Sequence, residues 1–410
     1  MTAVMESQSA MQPGYATPYA GLKVLDISQG IAGPYCGMLL AQYGAQVIKV
    51  EPHAGDWARA LGQRVGDHTA LDLTANRGKR SIAIDLKPAA GRALAQRLAA
   101  GCDVVIENFR PGVMDRLGLG YERLRGDNPR LIYLSVSAFG QHGPGRDRPG
   151  SDTVLQAFSG MMSINRDAAG TPRPTGFLTV DYVTGLYAFQ ALAAALAGRA
   201  FEAEGRHLDV SLMQSAGAFL SAKFIEERVS GGNVARLNAP AGSYRTSDGW
   251  IAVTLTKEAH FPLLCKTIGR AQLAEDARFA DFTLRSRHLS VLAPLVQEGL
   301  LAKTTAEWLE LFHAADVLAS PIHDMNSWID DPQVEAMDVV AEACTAPGAA
   351  PIPWVKIPGA DCPGPEDPRS RWPDIGADAA AILRDTLDMT DAEIEALVQA
   401  GVVLGATGQA

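Results

Sequence analysis

Short apolar runs alternate with helix-length segments through the first half of the chain. Leu22–Ile27 reads as a buried strand, Pro34–Tyr43 as a helix and Gln46–Glu51 as a second strand, which makes one βαβ unit. Ser81–Asp85, a helix from Pro88 to Ala100, and the runs Cys102–Glu107 and Leu131–Ser137 continue the alternation. A strand that is apolar on both faces must be covered on both faces, and crossover helices between parallel strands do this. The expected fold is therefore α/β, an open, doubly wound parallel sheet of the Rossmann-like kind.

Further on, an Ala-rich helix runs from Asp181 to about Arg199, with Gly185 and Gly198 letting another backbone pack close. His207–Leu212 alternates like a strand, and Gly249–Thr256 alternates again behind the turn Ser247-Asp248-Gly249. Composition shifts near residue 225, and helices expected at 259–269, 287–302 and 305–315 suggest a smaller α+β domain. The expected division is a large domain over 1–225, a small one over 226–330, and a return arm with the rest of the large domain over 331–410. The tract Pro347–Pro373 holds eight prolines, which predicts an extended surface arm without regular structure. Thr390, with Glu393 three residues on, predicts a capping box at the last helix.

With 410 residues, 47% of them hydrophobic and 20% charged, the chain has ample material for a large core. Lys and Arg number 36 against 46 Asp and Glu, a net charge of −10, which argues against nucleic acid and anionic membranes as partners. The first twenty residues carry no Lys or Arg, and no secretory leader or membrane span is expected. Five scattered cysteines, Cys36, Cys102, Cys265, Cys344 and Cys362, never occur as CxxC. They fit free thiols in a reducing compartment, so the expected location is the cytoplasm.

Several signatures are missing. Gly118-Leu119-Gly120 lacks the third glycine of a dinucleotide fingerprint, and Gly78-Lys79 lacks the upstream glycine of a phosphate loop. There is no GxSxG elbow, and the eight histidines never fall at zinc spacing. No metal site is expected.

Three features remain. The turn Gln29-Gly30-Ile31-Ala32-Gly33-Pro34 puts a helix start at the carboxyl end of a parallel strand, where such sheets bind ligands, although an ordinary tight turn has the same composition. Two cation-rich clusters, Asn76-Arg77-Gly78-Lys79-Arg80 with Lys87, and Glu107-Asn108-Phe109-Arg110-Pro111 with Arg116, would suit a phosphorylated ligand. A solvated charged face explains them equally. Asp181, at the head of the Ala-rich helix, reads as an N-cap, a position that also keeps a carboxylate ionised through the helix dipole and presents it as a nucleophile.

Taken together, the segments LKVLDISQGIAGPYCGMLLAQYGAQVIKVEP, NRGKRSIAIDLK, VVIENFRPGVMDRLGLGYE, NPRLIYLSVSAFGQHGP and DYVTGLYAFQALAAAL resemble the class III CoA-transferases of the CaiB/BaiF type, which include formyl-CoA and crotonobetainyl-CoA transferases. The likeness runs from Gly21 to about Thr256. It implies a transferase moving CoA from an acyl-CoA to a free carboxylic acid, with acyl-CoA and the acid as substrates and no tightly bound cofactor. Asp181 matches the family's nucleophile, which passes through an aspartyl-CoA thioester. CoA contacts carry over to Ile31, Ala32, Ile84, Lys87, Asn108, Phe109, Arg110, Arg116 and Ser137. Two positions depart: formyl-CoA transferase has an arginine where this chain has Pro52 and a lysine where it has Ser137. The family's glycine-rich loop corresponds to Asn238-Ala239-Pro240-Ala241-Gly242, with one glycine.

The resemblance also implies an interlocked homodimer. The acid pair is open; Arg64, Arg166 and Arg245 are candidate anchors, and a dicarboxylate with succinyl-CoA as donor is the expectation. The same fold serves α-methylacyl-CoA racemases, which use a His-Asp pair where this chain has Ser151-Asp152. A catalytically silent CoA-binding protein is the third reading.

Overall fold

The computed structural model describes residues 17–405 apart from 168, 233, 235, 346 and 347. The chain divides into two compact units, a larger one made of the residues up to Ser221 together with those from Val340 onward, and a smaller one over Ala222–Val339.

The larger unit is built on a six-stranded sheet of β1 Lys23–Asp26, β2 Gln46–Glu51, β3 Arg80–Ala83, β4 Val104–Glu107, β5 Ile132–Ser137 and β6 Arg206–Ser211. All the pairings are parallel, in the order β3-β2-β1-β4-β5-β6. The order reverses between β1 and β4, and that reversal opens a crevice at their carboxyl ends. Its longer helices include α1 Ala32–Gln42, α2 Ala70–Asn76, α3 Ala89–Ala100, α4 Asp152–Phe158, α5 Thr179–Gly198, α6 Leu212–Phe219, α7 Ala379–Leu387 and α8 Asp391–Gln399.

Side-chain alternation in the strands feeds two cores. Leu25, Ile48, Val50, Val105 and Tyr133 point to one face and pack with Leu94 and Leu98 of α3, Ile382 and Leu383 of α7 and Ile394 of α8. Val24, Val47, Val104, Ile106, Ile132 and Leu134 point to the other and pack with Cys36 and Leu40 of α1 and Val180, Ala188 and Leu192 of α5. The strands read as continuous apolar runs because both faces are buried. By length and composition α5 is apolar enough to cross a membrane, but it lies on the sheet layer against α1. A Cβ on Gly185 would stand 2.9 Å from both the Ala32 carbonyl oxygen and a ring carbon of Tyr35, so glycine there sets how close α5 approaches α1.

The C-terminal residues return to the sheet edge. Val403 bridges Ile84, and the Leu404 N–H donates to the Ala83 carbonyl at 3.0 Å, covering the β3 edge that would otherwise be left unpaired. The Pro-rich tract corrects the expectation of an arm without regular structure. Ile352–Val355 forms a strand paired antiparallel with Val340–Ala343, and Pro368–Ser370 is a turn of 3₁₀ helix. The prolines are tolerated because a two-stranded ribbon has an open edge where no N–H is needed. The capping box at Thr390 and Glu393 is present.

In the smaller unit, Gly242–Arg245, Trp250–Thr254 and Leu318–Pro321 form an antiparallel sheet. Helices His260–Thr267, Leu289–Leu300 and Thr305–Ala314 pack on it through Phe261, Leu264, Leu292, Trp308 and Phe312. The stretch Asn238–Gly242 is tied down here: Ala239 is buried, and its carbonyl accepts from Arg285 Nε at 3.0 Å.

Candidate active site

The turn after β1 is braced from two sides. Gly30 has φ +81°, and a Cβ on it would lie 2.0 Å from the indole of Trp57, so any side chain there is excluded by both backbone and space. Its N–H donates to both carboxylate oxygens of Asp56, at 2.8 and 3.0 Å, and Asp56 also accepts from the buried Lys49 Nζ at 2.8 Å. Asn108, just past β4, holds the other side: the Gln29 N–H donates to Asn108 Oδ1 at 2.8 Å, and Asn108 Nδ2 donates to the Gln29 carbonyl at 2.6 Å. These bonds tie the β1 and β4 turns together across the crevice, where α1 begins at Ala32 without a side-chain cap.

Asp181 faces this crevice from α5, and its position corrects the sequence expectation. The N-cap of α5 is Leu178, and Asp181 lies within the first turn. The capping group is Asp152, whose Oδ2 accepts from the N–H of Val180 at 2.7 Å and of Asp181 at 3.1 Å. Asp152 is buried and is held in turn by Gln156 Nε2, which also donates to the Phe177 carbonyl at 3.1 Å. Burial, and then the negative charge of Asp152, push the Asp181 carboxyl up to about 7. Its carboxylate accepts no hydrogen bond from the described residues.

A cleft of about 280 Å³ brings Asp181 together with Ile31, Ala32, Asn108, Phe109 and Ser137. Among the described residues no Lys or Arg lines it, so nothing there offsets the effect of burial and of Asp152 on the carboxyl. Gln29 and Phe109 are shared with an adjacent cleft of about 450 Å³ that holds Ile84 and Lys87. Arg110 lines a separate depression with Glu107 and His207. Arg116, exposed at the end of the short helix Val113–Arg116, lines none of these three. Of the candidate acid anchors, Arg166 is spent on the Ser163 and Gly170 carbonyls, and Arg245 lies over Trp250 in the smaller unit. With Arg64, they are absent from the Asp181 cleft.

The cluster Asn76–Arg80 is not a phosphate site. Lys79 is fully buried, donating to Asp26 at 2.7 Å, Asn76 at 2.9 Å and the Pro34 carbonyl at 2.7 Å. Arg77 is buried against Trp354, and Arg80 pairs with Asp385 at 2.9 Å. The sequence showed cations near strand ends, but not that they sit at the amino end of β3, on the wrong edge for the crevice. It also missed Trp57 and the capping role of Asp152. Only tertiary contact marks Trp57, whereas Asp152 with Gln156 four residues on was a legible helical pair.

A sequence profile described as CoA-transferase family III matches residues 19–379. The chain is 35% identical over 360 residues to the succinate–glutarate CoA-transferase of Agrobacterium fabrum, across 84% of this chain and 90% of that protein. It is 33% identical over 401 residues to the succinyl-CoA:glutarate CoA-transferase of Homo sapiens, across 94% and 90%. The fold matches the crystal structure of a CaiB/BaiF family protein from Brucella suis with a TM-score of 0.78 at 33% identity, over 90% of this chain and 100% of that one.

Proposed function

Because the chain belongs to CoA-transferase family III and is an acyl-CoA:carboxylate CoA-transferase, we propose that Asp181 is the nucleophile that carries the transfer. The observation behind this is the Asp181 carboxyl on the first turn of α5, lining the 280 Å³ cleft at the strand-order reversal with no cation beside it. Its ionised form is a basic, half-buried carboxylate with no hydrogen-bond donor on it among the described residues, a form suited to attack a thioester.

The attack forms an Asp181 mixed anhydride and expels CoA thiolate. The thiolate adds to the aspartyl carbonyl, which releases the first acid and leaves an aspartyl-CoA thioester; the second acid then reverses both steps. One thioester is exchanged for another, so the protein's task is to keep water from the two activated intermediates. The uncapped start of α1 at Ile31 and Ala32 supplies N–H groups for the developing negative charge. The CoA chain would run past Asn108, Phe109 and Ser137 into the second cleft, where Lys87 lies beside Ile84 and would meet a phosphate, with Arg110 and the exposed Arg116, which lie outside that cleft, left for the more distant phosphates.

The named activities of the two relatives support a dicarboxylate pair with succinyl-CoA as donor. Racemisation is disfavoured, since no histidine lines the Asp181 cleft and Ser151 stands where the base would be. Phe158, Ile164, Phe177, Leu186 and Phe219 on the larger unit are each more than half exposed, apolar side chains that an interlocked homodimer would give a partner to cover. Buried free thiols at Cys36, Cys102 and Cys265 are in keeping with the cytoplasm.

Peptide mass spectrometry after incubation with succinyl-CoA tests the nucleophile. CoA attached at Asp181, and absent in Asp181→Asn, is the expected result; solvent deuterium entering the acyl α-carbon without an adduct would replace transfer by racemisation. A monomer by light scattering would remove the dimer.

A further inference from the structure

A cavity of about 560 Å³, larger than either cleft above, lies between α1 and α2 on one side and Ile352–Val355 with its continuation to Trp372 on the other. It shares no residue with the Asp181 cleft. Its walls are mainly apolar and aromatic, Tyr35, Leu73, Trp354 and Trp372 among them, and two cations, Arg77 and Lys356, line it.

Arg77 is 4% exposed, and its guanidinium carbon lies 3.4 Å from the Trp354 ring centroid. Its Nη1 has no hydrogen-bond partner, and no carboxylate among the described residues pairs with it. The other buried arginines differ. Arg59 is held by Glu51 at 2.8 Å and Asp72 at 3.1 Å, and Arg285 is paired with Glu258. Burying a cation without its counter-charge costs far more than a stacked ring returns. Burial accordingly pulls Arg77 down to about 10. Two other polar groups on the wall are already used: Trp372 Nε1 donates to the Leu73 carbonyl at 2.8 Å and Thr74 Oγ1 to the Ala70 carbonyl at 2.7 Å.

We propose that this cavity is a second ligand site, for an organic monocarboxylate with an apolar body. The carboxylate supplies the charge that Arg77 lacks, and the body fills the space between the aromatic walls. A phosphate or a small dicarboxylate would leave the apolar walls unfilled, and a neutral ligand would leave the guanidinium unpaired. The site lies close to the chemistry, since Tyr35 packs edge-on against Tyr182, next to Asp181, at 4.9 Å between ring centroids.

The test uses the full-length protein without acyl-CoA, titrated with octanoate and with its neutral analogue octanamide, and read by tryptophan fluorescence and calorimetry. Saturable octanoate binding is expected, at least tenfold tighter than octanamide. Arg77→Met should lose about tenfold or more, Arg77→Lys should retain part, and Asp181→Asn should bind as wild type. No saturable binding, equal affinity for acid and amide, or unchanged affinity in Arg77→Met would overturn the proposal. So would an Arg77→Met protein that dissociates into monomers while still binding octanoate, which would assign the counter-charge to a second subunit. If Arg77→Met does not fold, the acid-to-amide ratio and Arg77→Lys decide by themselves.

Discussion

Replacing Asp181 by Asn should make the ligand-free protein more stable relative to wild type as pH rises. The Asp181 carboxyl stands at about 7 in the folded state against an ordinary value of 3.8, pushed up first by burial and then by Asp152. A carboxyl raised in this way favours the folded state when protonated, and that advantage is lost as pH climbs from 3.8 through 7. At about 1.36 kcal/mol per pH unit, the wild-type penalty reaches about 4 kcal/mol above neutrality. Asparagine does not titrate, so its fixed costs in the cleft cancel when two pH values are compared. Between pH about 5 and about 8.5, the stability of Asp181→Asn minus that of wild type should therefore grow by about 3 kcal/mol. Urea unfolding of both proteins at both pH values measures it, and the titrating groups that do not couple to Asp181 drop out of the difference. A difference independent of pH, or one that shrinks as pH rises, would refute the picture of an unpaired, buried carboxyl, and with it the account of why this aspartate is basic.

Further outcomes follow from the same geometry. Asp152→Asn keeps an oxygen for the Val180 and Asp181 N–H groups but removes the charge, so the acid limb of the kcat/KM profile should move below 7 by up to about one unit; an unmoved midpoint would eliminate the repulsion. Gly30→Ala would place a methyl 2.0 Å from the Trp57 ring at φ +81°, and steady-state kinetics should show KM for acyl-CoA raised about tenfold or more through the displaced turn. Lys79→Met leaves Asp26 buried without its cation and should cost about 3–5 kcal/mol in chemical denaturation, with much of that recovered by adding Asp26→Asn.

Much of the site was legible because its residues sit beside recognisable local patterns. The turn Gln29–Pro34 follows an apolar strand and opens a helix, Asn108 and Phe109 follow another such strand, and Asp181 heads an Ala-rich helix; each pattern fixes a carboxyl strand end or a helix start. What misled was charge. Lys79, Arg77 and Arg80 read as a cation cluster, yet two of them are buried, one among the acceptors Asp26, Asn76 and Pro34 and one on Trp354. Burial depends on which elements close over a segment, and those elements lie far along the chain, Asp26 and Pro34 about fifty residues from Lys79 and Trp354 nearly three hundred from Arg77.

The sequence by itself determined the parallel sheet, because strands apolar on both faces have few other solutions, and it determined the motif order that marks the family. Tertiary structure decided the electrostatics. Asp152 and Asp181 meet only because α4 packs against the start of α5, and burial first, with that meeting added to it, raises a carboxyl expected to be held down. Trp57 reaches Gly30, and Trp354 reaches Arg77, from elements with no periodic signal of their own. Local pattern follows from backbone geometry and solvent, whereas the environment of a charge is set by everything that surrounds it.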